Sequence, residues 1–189
     1  MAGCGVPSIN WGRDRDAVKI IWEIKDSNIG YLHIMNKELQ SIINNLERVN
    51  TGEPWYGRPV YEMLNEIDPA IVYKKPNKQH SLADLLYHMI TWADFSLHRI
   101  KGDKEKDMAS FEELDWRQIN PKVHTWEKGV NEFKEIHTEI VSLLKHKDDD
   151  FLDENVDYRK YNFRFLLNGL VQHNIYHLGQ IAYVKKLLE

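Results

Sequence analysis

The feature that most constrains the fold of this chain is a helical spacing of apolar residues that recurs in four long segments. In the first segment, Asp26 to Val49, apolar side chains follow one another at alternating steps of three and four residues, which places them on one face of a helix. These side chains are Leu32, Met35, Leu39, Ile42, Leu46 and Val49. No segment stands out with the period of two that a half-buried strand requires. The pattern predicts an all-α protein built as a four-helix bundle.

Helix-start signals mark the second and third segments. Ser81 precedes the second segment and Asp84 follows three residues later, so the pair can form a capping box, and this helix is predicted to run to about Ile100. The third helix is predicted to begin with Asn120 as its N-cap and Pro121 at its first helical position. Its core-facing stripe is predicted to be Val123, Trp126, Val130, Phe133, His137, Ile140 and Leu144.

The connection between the first and second helices is unusually long, about thirty residues where bundle connections usually span roughly two to eight. It contains Gly52, Pro54 and Pro59, and its stretch PVYEMLNEID predicts one short helix. Trp55 and Tyr56 in this connection either line a pocket or plug one end of the bundle. The predicted architecture is therefore a four-helix bundle with a long crossover between helices 1 and 2.

Composition bounds the domain organisation and the compartment. A chain of 189 residues with 42% hydrophobic content suits a single domain, predicted to span residues 26–189. Residues 1–25 are predicted to be an N-terminal extension that is either poorly ordered or peripheral. Cys4 is the only cysteine, so one chain can build neither a disulfide framework nor a thiolate metal cage. No run approaches the roughly 20 apolar residues of a membrane helix. We expect a cytoplasmic protein with no membrane partner.

The charge pattern bears on nucleic acid as a partner. The net charge of −4 arises from 25 basic and 29 acidic residues that are mixed along the chain. No cluster of basic residues creates the positive field that attracts phosphate backbones. On this ground the sequence predicts no nucleic-acid partner.

Two histidines of the fourth predicted helix, about Tyr158 to Leu188, lie where its core should be. His173 and His177 are one turn apart and fall inside the apolar stripe of Leu166, Leu170, Ile181, Val184 and Leu188. In the second helix, His88 occupies a similar position. It shares a core-facing line with Leu85, Trp92 and Phe95. Inward imidazoles are costly unless their nitrogens are satisfied.

Three core-facing imidazoles can satisfy their nitrogens in two ways. If the second and fourth helices are neighbours or diagonal partners, His88 meets His173 and His177, and the three can bind Zn²⁺, Ni²⁺ or Fe²⁺. Three protein ligands leave a position open for water or substrate, as catalytic sites do. Alternatively, all three are ordinary buried histidines, hydrogen-bonded to backbone carbonyls or to Asp84 and Asn174.

Three stretches of the sequence carry a family resemblance: GEPWYGRPVYEML, HSLADLLYHMITWADFSLHRIKGD and NGLVQHNIYHLGQIAYVKK. They resemble the DinB/YfiT-like superfamily of bacterial metalloenzymes, and the likeness extends from about Asp26 to Leu188. The resemblance implies a four-helix bundle whose metal is held by one histidine of the second helix and an H-x-x-x-H of the last long helix. These positions are His88, His173 and His177 here, so the resemblance favours metal ligands.

The resemblance also implies a class of chemistry. Characterised branches of the superfamily include metal-dependent S-transferases, which use low-molecular-weight thiols such as bacillithiol or mycothiol, and maleylpyruvate isomerase. We therefore expect a divalent metal that activates a small thiol toward an electrophilic small-molecule substrate. The candidate pocket residues are Trp55, Tyr87, Trp92 and Gln180, and no individual catalytic residue is identified.

Two other interpretations stay open. The same site would activate water for hydrolysis, with Asp84 as the available carboxylate base, although a capping role is favoured for that residue. Alternatively, the protein is a non-catalytic metal-binding or interaction bundle, in which a fourth ligand such as His137 closes the coordination sphere. We also expect a homodimer, since bundle faces in the superfamily often pair.

Overall fold

The structure, a computed structural model, describes residues 36–189, and this part of the chain contains six α-helices and no β-strand. The helices are α1 (Lys37–Asn50), α2 (Val60–Asn65), α3 (Leu82–Lys101), α4 (Met108–Leu114), α5 (Trp126–Leu144) and α6 (Phe163–Leu188). Two short 3₁₀ helices, Pro76–Lys78 and Asp149–Asp153, lie in the connections. The all-α class predicted from the helical spacing is confirmed.

Four of the helices are long, and each of these packs against two of the others. α3 contacts both α5 and α6, and α1 contacts the same two helices. α3 is the most deeply buried, because every residue from Ser81 to Thr91 is buried. The short helices α2 and α4 lie in the connections, so the described part has six helices where the sequence predicted four long ones and one short one.

The start of α3 forms as the sequence predicts. The Ser81 hydroxyl accepts a hydrogen bond from the Asp84 backbone N–H, and the Asp84 carboxylate accepts one from the Ser81 N–H at 2.8 Å, which completes the capping box. Lys75 Nζ lies 3.0 Å from the same carboxylate. At the other end, Gly102 adopts a left-handed φ of 69° and stops the helix. These fixed ends set the position of His88 within the core.

The predicted start of α5 is wrong. Asn120 and Pro121 form a turn, in which the Asn120 carbonyl accepts a hydrogen bond from the Val123 N–H. The helix is capped instead by Thr125, whose hydroxyl accepts from the Lys128 N–H. Val123, predicted to face the core, is 53% exposed because it precedes the helix. An Asn-Pro pair favours a turn as readily as a helix start, and here the turn forms.

α6 also starts later than predicted, at Phe163 instead of near Tyr158. Tyr158 adopts a φ of 65°, which an α-helix cannot contain. A single β-bridge pairs Asn155 with Asn162 and closes this turn. Asn162 then caps the helix by accepting a hydrogen bond from the Phe165 N–H.

Two expectations concern the beginning of the chain. The N-terminal extension, residues 1–25, and the first ten residues of the first predicted helix, 26–35, lie outside the described residues. The remainder of that helix agrees with α1, whose Leu39, Ile42, Leu46 and Val49 are buried as predicted. Among the helices of residues 36–189, none has the length and apolar content needed to cross a membrane.

Candidate metal centre

α3 and α6 bring the three predicted ligands together. His88 projects from α3, and His173 and His177 project from α6 one turn apart. The Nε2 atoms of His88 and His173 are 3.0 Å apart. One ring nitrogen from each of the three histidines lies within 4.8 Å of the others. We refer to His88, His173 and His177 as the histidine trio.

An aspartate holds the far side of the His88 ring. Its Nδ1 lies 2.5 Å from Asp115 Oδ1, and the Trp92 indole donates to the same oxygen at 3.2 Å. Asp115 lies directly after α4, in the segment that connects α4 to α5. Because Nδ1 donates its proton to the carboxylate, the Nε2 lone pair of His88 is left facing the other two imidazoles.

Gln180 orients the His177 ring as Asp115 orients that of His88. The Nδ1 of His177 donates to Gln180 Oε1 at 2.6 Å, and the Gln180 amide donates in turn to the Tyr176 hydroxyl at 3.2 Å. The i,i+3 spacing along α6 makes this contact local. His173 differs, because its buried Nδ1 has no hydrogen-bond partner within the described part of the chain.

The trio is held in the neutral form. Burial, together with the neighbouring imidazoles, lowers the pKa of His173 to about 3. Burial also lowers the pKa of His177 to about 4. The pKa of His88 is lowered by burial as well, although the Asp115 carboxylate partly offsets this effect. Neutral imidazole is the form that binds a metal ion, so no proton has to leave at neutral pH.

The donor set fits a divalent ion. At the usual Zn–N distance of about 2.0–2.1 Å, two nitrogens on one tetrahedral ion lie about 3.3 Å apart, close to the observed separation of the His88 and His173 nitrogens. Imidazole suits Zn²⁺, Ni²⁺ and Fe²⁺, and three ligands from the protein leave room for a further one. Oxygen partners on two of the rings provide the outer contacts that orient metal-binding histidines.

An indole covers one side of the trio. Trp116 stacks on His88 with ring centroids 3.9 Å apart and an interplanar angle of 14°. Its other face stacks on His80, also at 3.9 Å. Trp116 has a left-handed φ of 49°, which is strained for an aromatic residue and is maintained by these contacts. Its 40% exposure places the indole between the trio and solvent.

His137, the candidate fourth ligand, does not join the trio. Its Nδ1 donates to the Phe133 carbonyl at 2.9 Å, and its Nε2 accepts from the Asn174 amide at 2.9 Å. Both ring nitrogens are therefore satisfied inside the helix packing. Asp84 is also engaged, in the capping box and with Lys75, which supports its capping role over that of a base.

Two of the four predicted pocket residues lie away from the trio. Trp55 is 100% exposed in the connection before α2, and the structure does not bring it to the ligands. Tyr87 is buried, and its hydroxyl donates to the Thr125 carbonyl at 3.0 Å, so it ties α3 to the start of α5.

The other two pocket residues lie next to ligands. Trp92 and His173 line a cavity of about 170 Å³. Gln180 and His80 line a second cavity of about 410 Å³. The trio therefore borders the smaller cavity at His173, and the larger cavity reaches Gln180, the hydrogen-bond partner of His177.

The sequence analysis missed Asp115 and Trp116. Both lie in an irregular segment between α4 and α5, where helical spacing carries no information. The one available signal was the aspartate followed by tryptophan within the polar stretch EELDWRQ. That signal does not indicate which histidine the aspartate contacts.

A solved structure has a fold similar to that of this chain. The colibactin self-resistance protein ClbS, solved in complex with a double-stranded DNA, matches this chain with a TM-score of 0.53 and 17% sequence identity, covering 81% of this chain and 94% of that one. The prediction that excluded nucleic acid is corrected by this finding, since a protein of this fold binds duplex DNA. Overall net charge does not describe how charge is arranged on one face. No curated protein matches the chain significantly.

The family is shown by sequence. A family model described as the DinB superfamily matches residues 45–181. The match covers more than half of the chain and includes the whole histidine trio. The chain belongs to the DinB superfamily.

Proposed function

We propose that this protein is a metal-dependent enzyme of the S-transferase type, with His88, His173 and His177 as the ligands of one divalent ion. The observation that carries the proposal is the convergence of three neutral imidazoles from α3 and α6, two of them oriented by oxygen partners. Without an ion, these imidazoles, two of them buried and that of His173 half-buried, would face one another with their polar nitrogens poorly satisfied.

His88, His173 and His177 would hold the divalent ion, which when bound would lower the pKa of a small thiol and so supply a sulfur nucleophile at neutral pH. The residues of this chain position and shield that chemistry. Asp115 and Gln180 hold two of the imidazole rings at their Nδ1 atoms. Trp116 covers His88 and restricts the entry of water from that side. The electrophilic small molecule enters from the cavities beside Trp92 and Gln180.

We include a four-helix bundle architecture in this proposal. α1, α3, α5 and α6 would be its four helices, with the connection that contains α2 as the long crossover. The single domain would begin at about residue 26. A homodimer and a cytoplasmic location are further parts of the proposal.

A hydrolase is the weaker alternative because both aspartates beside His88 already accept hydrogen bonds that fix their positions. Asp84 is held by the capping box and by Lys75. Asp115 accepts hydrogen bonds from His88 and Trp92 through one oxygen. Hydrolysis usually relies on a positioned base, whereas a thiol that has lost its proton needs none.

Duplex DNA is a second partner to test, because a protein of this fold was solved in complex with it. Fluorescence anisotropy of a labelled duplex, measured at two salt concentrations, tests this directly. Binding that weakens with added salt would identify phosphate contacts. No change in anisotropy would leave the small-molecule proposal as the function to pursue.

The metal content of tag-free protein tests the first part of the proposal. We expect about one divalent ion per chain by inductively coupled plasma mass spectrometry. His88→Ala and the double variant His173→Ala/His177→Ala should lose the ion and keep their helical circular dichroism. The exposed His146 provides the matched control, because His146→Ala removes an imidazole without touching the trio. A parent protein that stays metal-free after incubation with Zn²⁺, Ni²⁺ and Fe²⁺ would refute the proposal.

The activity test uses the metal-loaded protein with low-molecular-weight thiols and a chromogenic aryl halide. We expect thioether formation that stops on chelation and is absent in His88→Ala. Turnover of an ester substrate without any thiol would favour the hydrolase instead. An ion that is present but supports neither reaction would favour the non-catalytic bundle.

A further inference from the structure

One surface stripe of α6 carries aromatic side chains and no charge. Its residues follow one another at alternating steps of four and three, and they are Phe165, Gly169, Gln172, Tyr176, Gly179 and Tyr183. We call these six residues the α6 stripe. Its three aromatic side chains are between 64% and 66% exposed. From Phe165 to Val184, α6 contains no aspartate, glutamate, lysine or arginine. Because solvent-facing helix surfaces normally carry charge, this stripe is typical of a surface that another protein covers.

The order of residues in the α6 stripe is self-complementary. Positions at equal distances from Asn174 carry matching residue types, and the pairs are Phe165 with Tyr183, Gly169 with Gly179, and Gln172 with Tyr176. A second copy that lies antiparallel, with a twofold axis level with Asn174, therefore brings ring against ring, glycine against glycine and amide against hydroxyl. A Cβ added at either glycine would meet no atom within 4 Å, so two helices have room to approach closely here.

The absence of charge favours a second copy as the occupant of the α6 stripe. A partner with a charged surface would lose hydration at the stripe without gaining an ion pair. A second copy brings the same uncharged surface, and steps of four and three form the seam along which two helices pack. The symmetry also extends beyond the stripe. Leu187, which is 50% exposed, would face Tyr161, whose ring centre lies 4.9 Å from that of Phe165.

We propose that the α6 stripe is the interface of a twofold dimer in which each copy completes the walls of the other's cavities. Phe165 and Gly169 line the cavity beside His173, and Tyr183 lines the cavity that reaches Gln180. In the antiparallel pair, Tyr183 of the second copy meets Phe165 at the first cavity, and Phe165 of the second copy meets Tyr183 at the other. The part that concerns the cavities rests on the proposed function, in which the substrate enters through them.

Sedimentation equilibrium of the full-length protein tests the interface. We expect a mass twice the chain mass of 22.4 kDa, with or without Zn²⁺. Phe165→Glu and Tyr183→Lys should each raise the dimer dissociation constant about tenfold or more, because each places a charge against a ring of the second copy. Trp55→Glu is the matched control, since Trp55 is a fully exposed aromatic residue outside the stripe, and it should leave the dimer intact. A parent that sediments as a monomer at every concentration would overturn the inference.

The double variant Phe165→Glu/Tyr183→Lys tests the antiparallel arrangement. The two positions are about 27 Å apart along α6, so the introduced charges cannot meet within one chain. Antiparallel pairing places the introduced glutamate of each copy against the introduced lysine of the other. Dimerisation should therefore recover in the double variant and weaken with added salt. A double variant that dimerises no better than the single variants would overturn this arrangement.

Failure of this inference can be told apart from failure of the proposed function. In metal-loaded protein, we expect the KM for the electrophile to rise in Phe165→Glu and to fall back in the double variant, with the metal content constant. A KM that does not follow dimerisation would overturn the shared cavities. A monomer that holds its ion would overturn the inference while the metal site stands. Dimerisation that follows the charge pattern in protein that never binds metal would support the interface and refute the proposed function.

Discussion

The protein buries histidines in two different settings. His137 in α5 has partners for both ring nitrogens, a backbone carbonyl and the Asn174 amide. In the trio, His88 and His177 each have an oxygen partner on Nδ1 only, and their remaining nitrogens face other imidazoles. Burial lowers the pKa of His137 to about 4, much as it does for His177. A lowered pKa therefore does not distinguish a metal ligand from an ordinary buried histidine, and the proposal of ligands rests on the nitrogens that face other imidazoles.

The largest expected difference between the two settings concerns stabilisation by metal. At a free Zn²⁺ concentration about 100 times its Kd, binding should add about 2.7 kcal/mol to the free energy of unfolding. For a chain of this size that is a rise in Tm of about 5–10 °C. Differential scanning fluorimetry with and without Zn²⁺ should show this shift in the parent and in His137→Leu. The shift should be absent in His173→Ala, and its persistence there would place the ion elsewhere.

The next effect concerns the oriented ring of His88. Asp115→Asn removes the carboxylate that accepts the Nδ1 proton, so we expect metal affinity to fall about 10- to 100-fold. Competition with a chromogenic chelator measures this change. Asp103→Asn is the matched control, because Asp103 contacts the imidazole of His98, which is not part of the trio. Equal affinities for both variants would show that Asp115 does not orient a ligand.

His137 should matter for stability and not for metal. His137→Leu leaves the Asn174 amide without its imidazole partner, so we expect a loss of about 1–2 kcal/mol in the free energy of unfolding. Urea unfolding measures this loss. The metal content should equal that of the parent. A drop in metal content with unchanged helicity would mean that His137 supports the trio after all.

The smallest effect is a difference in pH dependence. A histidine in the unfolded chain takes up a proton below its ordinary pKa of 6.5, while buried His137 stays neutral down to about 4. The free energy of unfolding is therefore unaffected by this histidine above pH 6.5 and declines as the pH falls toward 4. The decline is about 1 kcal/mol between pH 6.5 and 5.5. Urea unfolding of metal-free parent and His137→Leu at these two pH values should show a smaller decline in the variant. Identical declines would contradict the burial of a neutral imidazole at this position.

Features encoded within one helix could be predicted from the sequence. The capping box of α3 depends on Ser81 and Asp84 alone, and it forms as predicted. The inward direction of His177 follows from its apolar neighbours along α6. The helical class follows in the same way, because the spacing that buries one face is a local property.

Features that depend on contacts between distant segments could not be predicted. Helical spacing turns His88 and His173 inward, but only the packing of α3 against α6 brings their nitrogens together. Asp115 and Trp116 act from an irregular segment whose path is set by tertiary contacts. The start of α5 could not be predicted for a similar reason. The sequence at Asn120 is compatible with both a turn and a helix start, and the turn forms.

The sequence distance within the trio has a consequence for the lifetime of the folded chain. His88 and His173 are 85 residues apart, so an ion shared between them closes most of the described chain into one loop. For a covalent cross-link, closing a loop of that length lowers the entropy of the unfolded state by an amount worth on the order of 4 kcal/mol. α6 could then separate from α3 only after the ion had dissociated. The dissociation rate of the ion would therefore set the unfolding rate of the protein.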